Sequence, residues 1–233
     1  MNDGYNEKEQ ILHRDGMPMH SNLPKRFYSL LWSDSYSDWL RAWIFVRDKV
    51  PATVTTFDEF DTAFGLDQHG CQIGEILYEL EMELRNEGLG NLHLMANRAE
   101  LGHWVYTRFT GESELNLANF RAIEAESLWE IDETDLAEER FQEAIKLFPN
   151  IAGIYIHWAD CYWTGDRSYA QSANYERAEA IYREALNNPE LDEPYAVEQN
   201  LEQLLDEKAH PEKRERIAEF RLKRIKQRKG IKH

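Results

Sequence analysis

The chain has 233 residues, 42% hydrophobic and 12% aromatic, which is enough to build a sizeable core and excludes disorder of the whole. Its two cysteines, Cys71 and Cys161, make no disulfide framework and point to a reducing, cytoplasmic setting. The formal net charge of −16 is uneven: ten Lys or Arg against two Glu give residues 213–233 a charge of +8, leaving −24 on a body that repels nucleic-acid phosphates.

Residues 1–26 are polar, carry Gly4, Gly16, Pro18 and Pro24, and read as a flexible arm with no secretory h-region. No run approaches 18 apolar residues, so no membrane span is expected. After Leu31 and Trp32, residues Tyr36, Trp39, Leu40, Trp43 and Ile44 have the spacing of one buried helix face. Arg47 interrupts that stripe and Pro51 ends the helix. In TTFDEFDTAFG, Thr56 and Glu59 have capping-box spacing, Phe57, Phe60 and Phe64 share a side, and Gly65 suits a helix stop.

A third helix over about 71–87 places Ile73, Ile76, Leu77, Leu80 and Leu84 on one stripe, with Glu75, Glu79, Glu81, Glu83 and Glu87 outside it. Gly88 and Gly90 close it, and a fourth over about 91–109 carries Leu92, Met95, Ala99, Trp104 and Tyr106. From there the pattern predicts helices in pairs: about 115–130 with 134–148, 151–164 with 174–187, and 193–207 with 211–228, Pro211 opening the last. No stretch alternates long enough for a sheet, so the fold class is all-α. The organisation expected is an arm (1–26), irregular N-terminal helices of the same domain (27–110), helical hairpins (111–210) and a basic end (211–233).

A repeat underlies the hairpins. Ala137, Phe141 and Ala144 are echoed by Ala178, Tyr182 and Ala185, forty-one residues on, and Pro149 by Pro189, one residue early. Trp158 and Tyr162 lie on the helix between. Small alanines let two helices approach, the ring fills the gap to the next pair, and the proline stops the helix. This is the tetratricopeptide-repeat pattern, lengthened by about seven residues over its usual 34. The expected architecture is an αα-hairpin solenoid.

The order DEF, YELEMELRNEG, NFRAIEAESLWEI and AEERFQEAIKLFPNIAGIYIHWADCYW resembles bacterial tetratricopeptide-like proteins whose helical region often precedes a Cys-rich SEC-C zinc motif. The resemblance runs from about Trp39 to Trp163. It implies a helical body with no assigned chemistry, and no Cys follows position 161 to carry the zinc motif.

Several constellations invite chemistry. His157, Asp160 and Cys161 lie within about one turn, but i,i+4 spacing places His157 and Cys161 on the core side, beside Trp158 and Tyr162. Asp67, His69 and Cys71 offer at most half a metal site. The steps Glu100 to His103 and Glu207 to His210 match one element of a carboxylate metal site, yet a Glu-rich chain makes them by chance. The glutamates at 75, 79, 81, 83, 87, 124 and 126 read as a solvated acidic face. GLG at 88–90 is no phosphate loop.

The expectation is therefore a scaffold or adaptor, not an enzyme, with no cofactor or metal and a basic protein or peptide as partner. A homodimer stays open. The alternative is contact with RNA or ribosomes through Arg214, Arg216, Arg221, Lys223, Arg224, Lys226, Arg228 and Lys229.

Overall fold

The computed structural model describes residues 30, 35–67, 70–88, 91–164 and 173–210, and beyond them 212, 213, 215, 216, 219 and 223. The described residues form nine helices and no strand. These are α1 (Tyr36–Val46), α2 (Phe57–Phe64), α3 (Ile73–Gly88), α4 (Leu92–Arg108), α5 (Glu114–Glu130), α6 (Thr134–Leu147), α7 (Ala152–Trp163), α8 (Tyr175–Leu186) and α9 (Pro194–Ala209). None is long and apolar enough to cross a membrane. Two compact units divide the chain inside α3, where the sequence pattern places a change only near 110. One takes the residues up to Met82 with Phe109–Glu112, the other Glu83–Arg108 and everything from Ser113 on.

In the first unit, α1 stops at Val46, short of Pro51. Its buried residues are Ala42, Trp43 and Val46, and Ile44, expected inside, is 44% exposed. The inward stripe is thus one position round from the expected one: small Ala42 takes the contact and the larger Ile44 faces out. Arg47 continues the stripe by laying its guanidinium over the Trp43 ring, 5.1 Å from the centroid. The capping box of α2 forms as its spacing requires. Thr56 Oγ1 accepts from the Glu59 N–H at 3.1 Å, and Glu59 Oε2 accepts from the Thr56 N–H at 3.2 Å. Gly65 ends α2 with φ of 70°, in the left-handed region. Phe57, Phe60 and Phe64 are all buried, and the ring of Phe109 stands edge-on to Phe57 at 5.0 Å.

Asp61 is the polar group of this core. Its Oδ1 accepts from the Ile73 N–H at 2.9 Å and so satisfies the start of α3. Burial pushes its carboxyl up to about 6, against the pull of that hydrogen bond, and Asp58, Asp67 and Glu75 add to the rise. The folded value lies above the unfolded one, so the folded state holds the proton more tightly. The Asp61 contribution to stability is then full below about pH 4 and is lost as pH rises through 6, by on the order of 3 kcal/mol. Asp61→Asn keeps the accepting oxygen and removes the titration. Its stability relative to wild type should therefore rise between pH 4 and pH 7, read from urea unfolding at each pH. An unchanged difference would count against the buried-carboxyl account.

In the second unit the helix bounds from α5 to α8 fall within one residue of those expected. Helix α5 packs on α4, α6 and α7, α7 packs on α8, and α8 packs on α9. The alanine and ring pattern lies where these helices touch. Ala137, Phe141, Ala144, Ala178, Tyr182 and Ala185 are all buried. Pro149 and Pro189 sit exposed in the turns that follow α6 and α8. Those two turns bond to one another. Asn188 Nδ2 donates to the Pro149 carbonyl at 2.9 Å, and the Asp192 N–H donates to the Asn150 carbonyl at 2.8 Å. Asp192 Oδ1 in turn caps α7 by accepting from the Ala152 N–H at 2.8 Å. On α9 the buried Val197, Leu201 and Leu204 fall on one stripe, with Tyr195 and Leu205 exposed among polar residues elsewhere on the helix. Leu92, expected inside α4, is 64% exposed, while Met95 and Ala99 are buried and Trp104 and Tyr106 half-buried. The partner expected for α9, residues 211–228, lies mostly outside the described residues, as does the N-terminal arm.

Candidate functional site

Helix α5 is buried almost all round: every residue from Phe120 to Leu128 is out of solvent. Three helices enclose it, and small residues let them approach. Ala118, Ala122 and Ala125 lie on α5 itself. Gly102 lies opposite on α4, where a Cβ would come within 2.7 Å of the Phe120 carbonyl oxygen and 2.8 Å of the Glu124 nitrogen. Both are backbone atoms and cannot swing aside. Gly102→Ala should cost about 1–3 kcal/mol in denaturant unfolding, although alanine is the better helix former.

The charges on α5 correct the sequence expectation. Glu124 and Glu126 were expected on a solvated acidic face, and both are buried. Two positions apart on a helix, they point to opposite sides, and on an enclosed helix neither side is water. A buried carboxylate needs a partner. Glu124 takes Arg121 Nη1 at 2.5 Å and Arg140 Nε at 3.3 Å, with His103 Nδ1 at 3.2 Å. Arg121 also bonds Glu143 and lies 4.4 Å over the Tyr106 ring. Glu126 takes Arg98 Nη2 and Arg85 Nη2, each at 2.8 Å, with His157 Nδ1 at 3.6 Å. Arg98 is 1% exposed and donates a further bond to Ser127 Oγ at 2.9 Å. Burial alone would raise the Glu126 carboxyl, but Arg98, then His157 and Arg85, outweigh it and hold the group well below the usual carboxylate range. It stays charged at neutral pH, with its oxygens aimed at cations.

The two Glu-to-His steps noted in the sequence meet other partners. Glu100 is exposed, and its helical neighbour His103 turns to Glu124 instead. His210 pairs with Asp206 at 3.2 Å, and the buried Glu207 accepts from Tyr175 Oη at 2.8 Å. Glu75, Glu79 and Glu87 are exposed as expected, and Glu81 and Glu83 half-buried. Among the described residues no group of three or more His, Cys, Asp or Glu is placed to hold a metal ion. His69 lies outside them. Cys71 is half-buried, and burial pushes its thiol up to about 11, with Asp61 and Glu75 adding to the rise. The thiolate is thereby disfavoured.

The trio on α7 separates in the same way. Cys161 is buried in the core, and burial raises its thiol well above the ordinary value. His157, expected on that side, leans instead towards Glu126 and keeps 30% of its side chain exposed. Asp160 accepts from Tyr182 Oη at 2.7 Å, and the same hydroxyl accepts from Trp163 Nε1 at 3.0 Å. The three side chains thus serve three different contacts.

Comparison with models of protein families, with curated proteins and with solved structures finds no match.

A second charged constellation sits where α6, α7 and α8 meet, and it was not singled out from sequence. Glu138 Oε1 accepts from Trp158 Nε1 at 2.6 Å and from Tyr162 Oη at 2.7 Å. Its other oxygen lies 3.5 Å from Arg177 Nη2. The Arg177 guanidinium rests 4.8 Å from the Trp158 ring centroid and 5.9 Å from that of Tyr162. Trp129 stands edge-on to Tyr162 at 4.7 Å. Burial and then Glu138 push the Tyr162 hydroxyl up to about 12, so it remains a donor at neutral pH. The carboxylate is thus oriented by two donors at the ring edges, and the ring faces are covered by the guanidinium.

Of the basic end, Arg216 and Lys223 are described, and both are exposed. Arg216 Nε donates to the Glu212 carbonyl at 3.4 Å, one helical turn back. Lys213 pairs with Asp206 at 2.5 Å. Arg214, Arg221, Arg224, Lys226, Arg228 and Lys229 lie outside the described residues.

Proposed function

We propose that this chain is a protein-interaction module: tetratricopeptide-like helix pairs stacked into a scaffold that takes a basic segment of a partner and performs no chemistry of its own. The observation that carries the reading is the burial of Ala137, Phe141 and Ala144 and, forty-one residues on, of Ala178, Tyr182 and Ala185, each set at a helix contact. Repeated hairpins of this kind present an extended surface. The hydrogen-bonded turns after α6 and α8 support a regular step from one pair to the next. The single apolar stripe of α9 suits a terminal, capping helix. The two thiols most open to suspicion are both held protonated, which fits a scaffold better than a nucleophile.

The charge of −24 on residues 1–212 favours a basic partner over an acidic one. Affinity capture from a cell extract tests this. Reversing exposed acids on α6 and α8, as in Asp135→Lys with Glu184→Lys, should release the specific partners. Retention of all of them at physiological salt would contradict it. A second reading rests on the charge of +8 over residues 213–233: contact with RNA through the basic end. Binding to an RNA column that vanishes on deleting residues 211–233 and falls steeply with salt would favour it.

A further inference from the structure

We propose that Glu138, Trp158 and Tyr162 form the docking seat for an arginine side chain of the basic partner, and that Arg177 fills this seat in the unbound chain. The inference rests on the interaction-module reading for the partner's basic character. Its geometry stands by itself.

The occupant defines the ligand chemistry. A guanidinium lies over two ring faces and beside a carboxylate whose other oxygen is held by two donors. Such a seat is built for a planar, delocalised cation, and an ammonium would use it less fully. Trp158 and Tyr162 are one turn apart on α7, and Glu138 reaches them from α6, so the two hydrogen bonds that build the seat do not involve Arg177. Nothing in α8 itself holds Arg177 in place. It is the third residue of that helix, where the helix dipole disfavours a cation. It keeps 38% of its side chain exposed, and its 3.5 Å approach to Glu138 is looser than the 2.8 Å pairs at Glu126. Exchange of one guanidinium for another leaves the number of cation–ring and ion-pair contacts unchanged. A partner arginine can therefore enter at little cost, and the resident one lowers apparent affinity by the fraction of time it blocks the seat.

Fluorescence anisotropy of a labelled hexa-arginine peptide, at fixed ionic strength, tests the seat on the whole chain. Arg177→Ala should tighten binding roughly tenfold over wild type. Arg183→Ala is the control, since Arg183 pairs with Glu179 on the surface of α8 and its loss changes net charge equally. It should tighten binding no more than general charge allows. The double variant Arg177→Ala, Glu138→Gln has the net charge of wild type and should return affinity to the wild-type value or below. A hexa-lysine peptide should show a smaller gain with Arg177→Ala than hexa-arginine does. If Arg177→Ala unfolds the chain, as circular dichroism would reveal, Arg177→Gln replaces it with the same expectation. Equal gains from positions 177 and 183, or no peptide binding by any variant, would overturn the seat. A gain specific to position 177, with cellular partners indifferent to charge reversal on α6 and α8, would keep the seat and remove the wider reading.

Discussion

Glu126→Ala lowers the stability of the fold by about 3–5 kcal/mol in urea unfolding. The reason is the partner left behind. Arg98 is 1% exposed, and the variant removes the carboxylate 2.8 Å from its Nη2 while the hydrogen bond to Ser127 Oγ remains. A buried cation that loses its anion has less to offset its desolvation, whereas Arg85, half in water, loses little. Replacing both sides of the pair separates these effects. Glu126→Gln with Arg98→Met leaves no charge buried there and should recover most of the loss, since a buried ion pair contributes little net stability over apolar packing. A single variant as stable as wild type would mean that water reaches Arg98. The pair holds through ordinary acid conditions, because its carboxyl is depressed. That contribution is present above the unfolded pKa and fades only as pH falls through the lower folded value.

Phe141→Ala should cost about 3–5 kcal/mol, the largest effect expected from an apolar truncation in the hairpins. The ring is fully buried between helices and stacks near Trp158, with centroids 6.1 Å apart. Its removal leaves a cavity that the neighbouring backbones, already spaced by Ala137 and Ala144, cannot close. Tyr195→Ala is the matched control: the ring is 68% exposed on α9, and its loss should cost less than about 0.5 kcal/mol. Comparable losses at the two positions would show that the alanine and ring pattern does not mark the helix contact.

What the sequence made legible was local or strictly periodic. The Thr56–Glu59 box and Gly65 needed only three- and nine-residue spacings, and both formed. The helices from α5 to α8 announced themselves by their pairing and the recurring alanines, and their bounds fall within one residue of those expected. Burial set by more distant partners was not legible. Ile44 and Ala42 differ by less than a turn, and it is the smaller side chain that is buried. Helix α5 carries apolar residues on every side with glutamates between them, so its periodicity names no face. An acidic reading of Glu124 and Glu126 followed naturally from composition. The overlooked signal was the set of counter-charges: Arg98 and Arg140 on the flanking helices, and Arg121 on α5 itself, beside a helix whose alanines and facing Gly102 allow close approach.

The candidate seat was illegible for a related reason. Glu138, Trp158, Tyr162 and Arg177 come from three helices, and each has an ordinary role when read alone. Trp158 and Tyr162 were read as packing residues, and they do pack. Only the hydrogen bonds to Glu138 and the guanidinium over both rings turn packing into a recognition surface. An acidic body can be soluble and inert, so its charge alone names no partner. A carboxylate held by two ring-edge donors beside two aromatic faces is more selective.

Zero-length coupling of carboxylates to amines, followed by mass spectrometry of the chain with its captured partners, tests the account most directly. The account expects links from acidic side chains of α6 and α8 to lysines in one basic stretch of a partner, lost when Asp135 and Glu184 are reversed. Links that leave α6 and α8 untouched, or that survive the reversal unchanged, would contradict it.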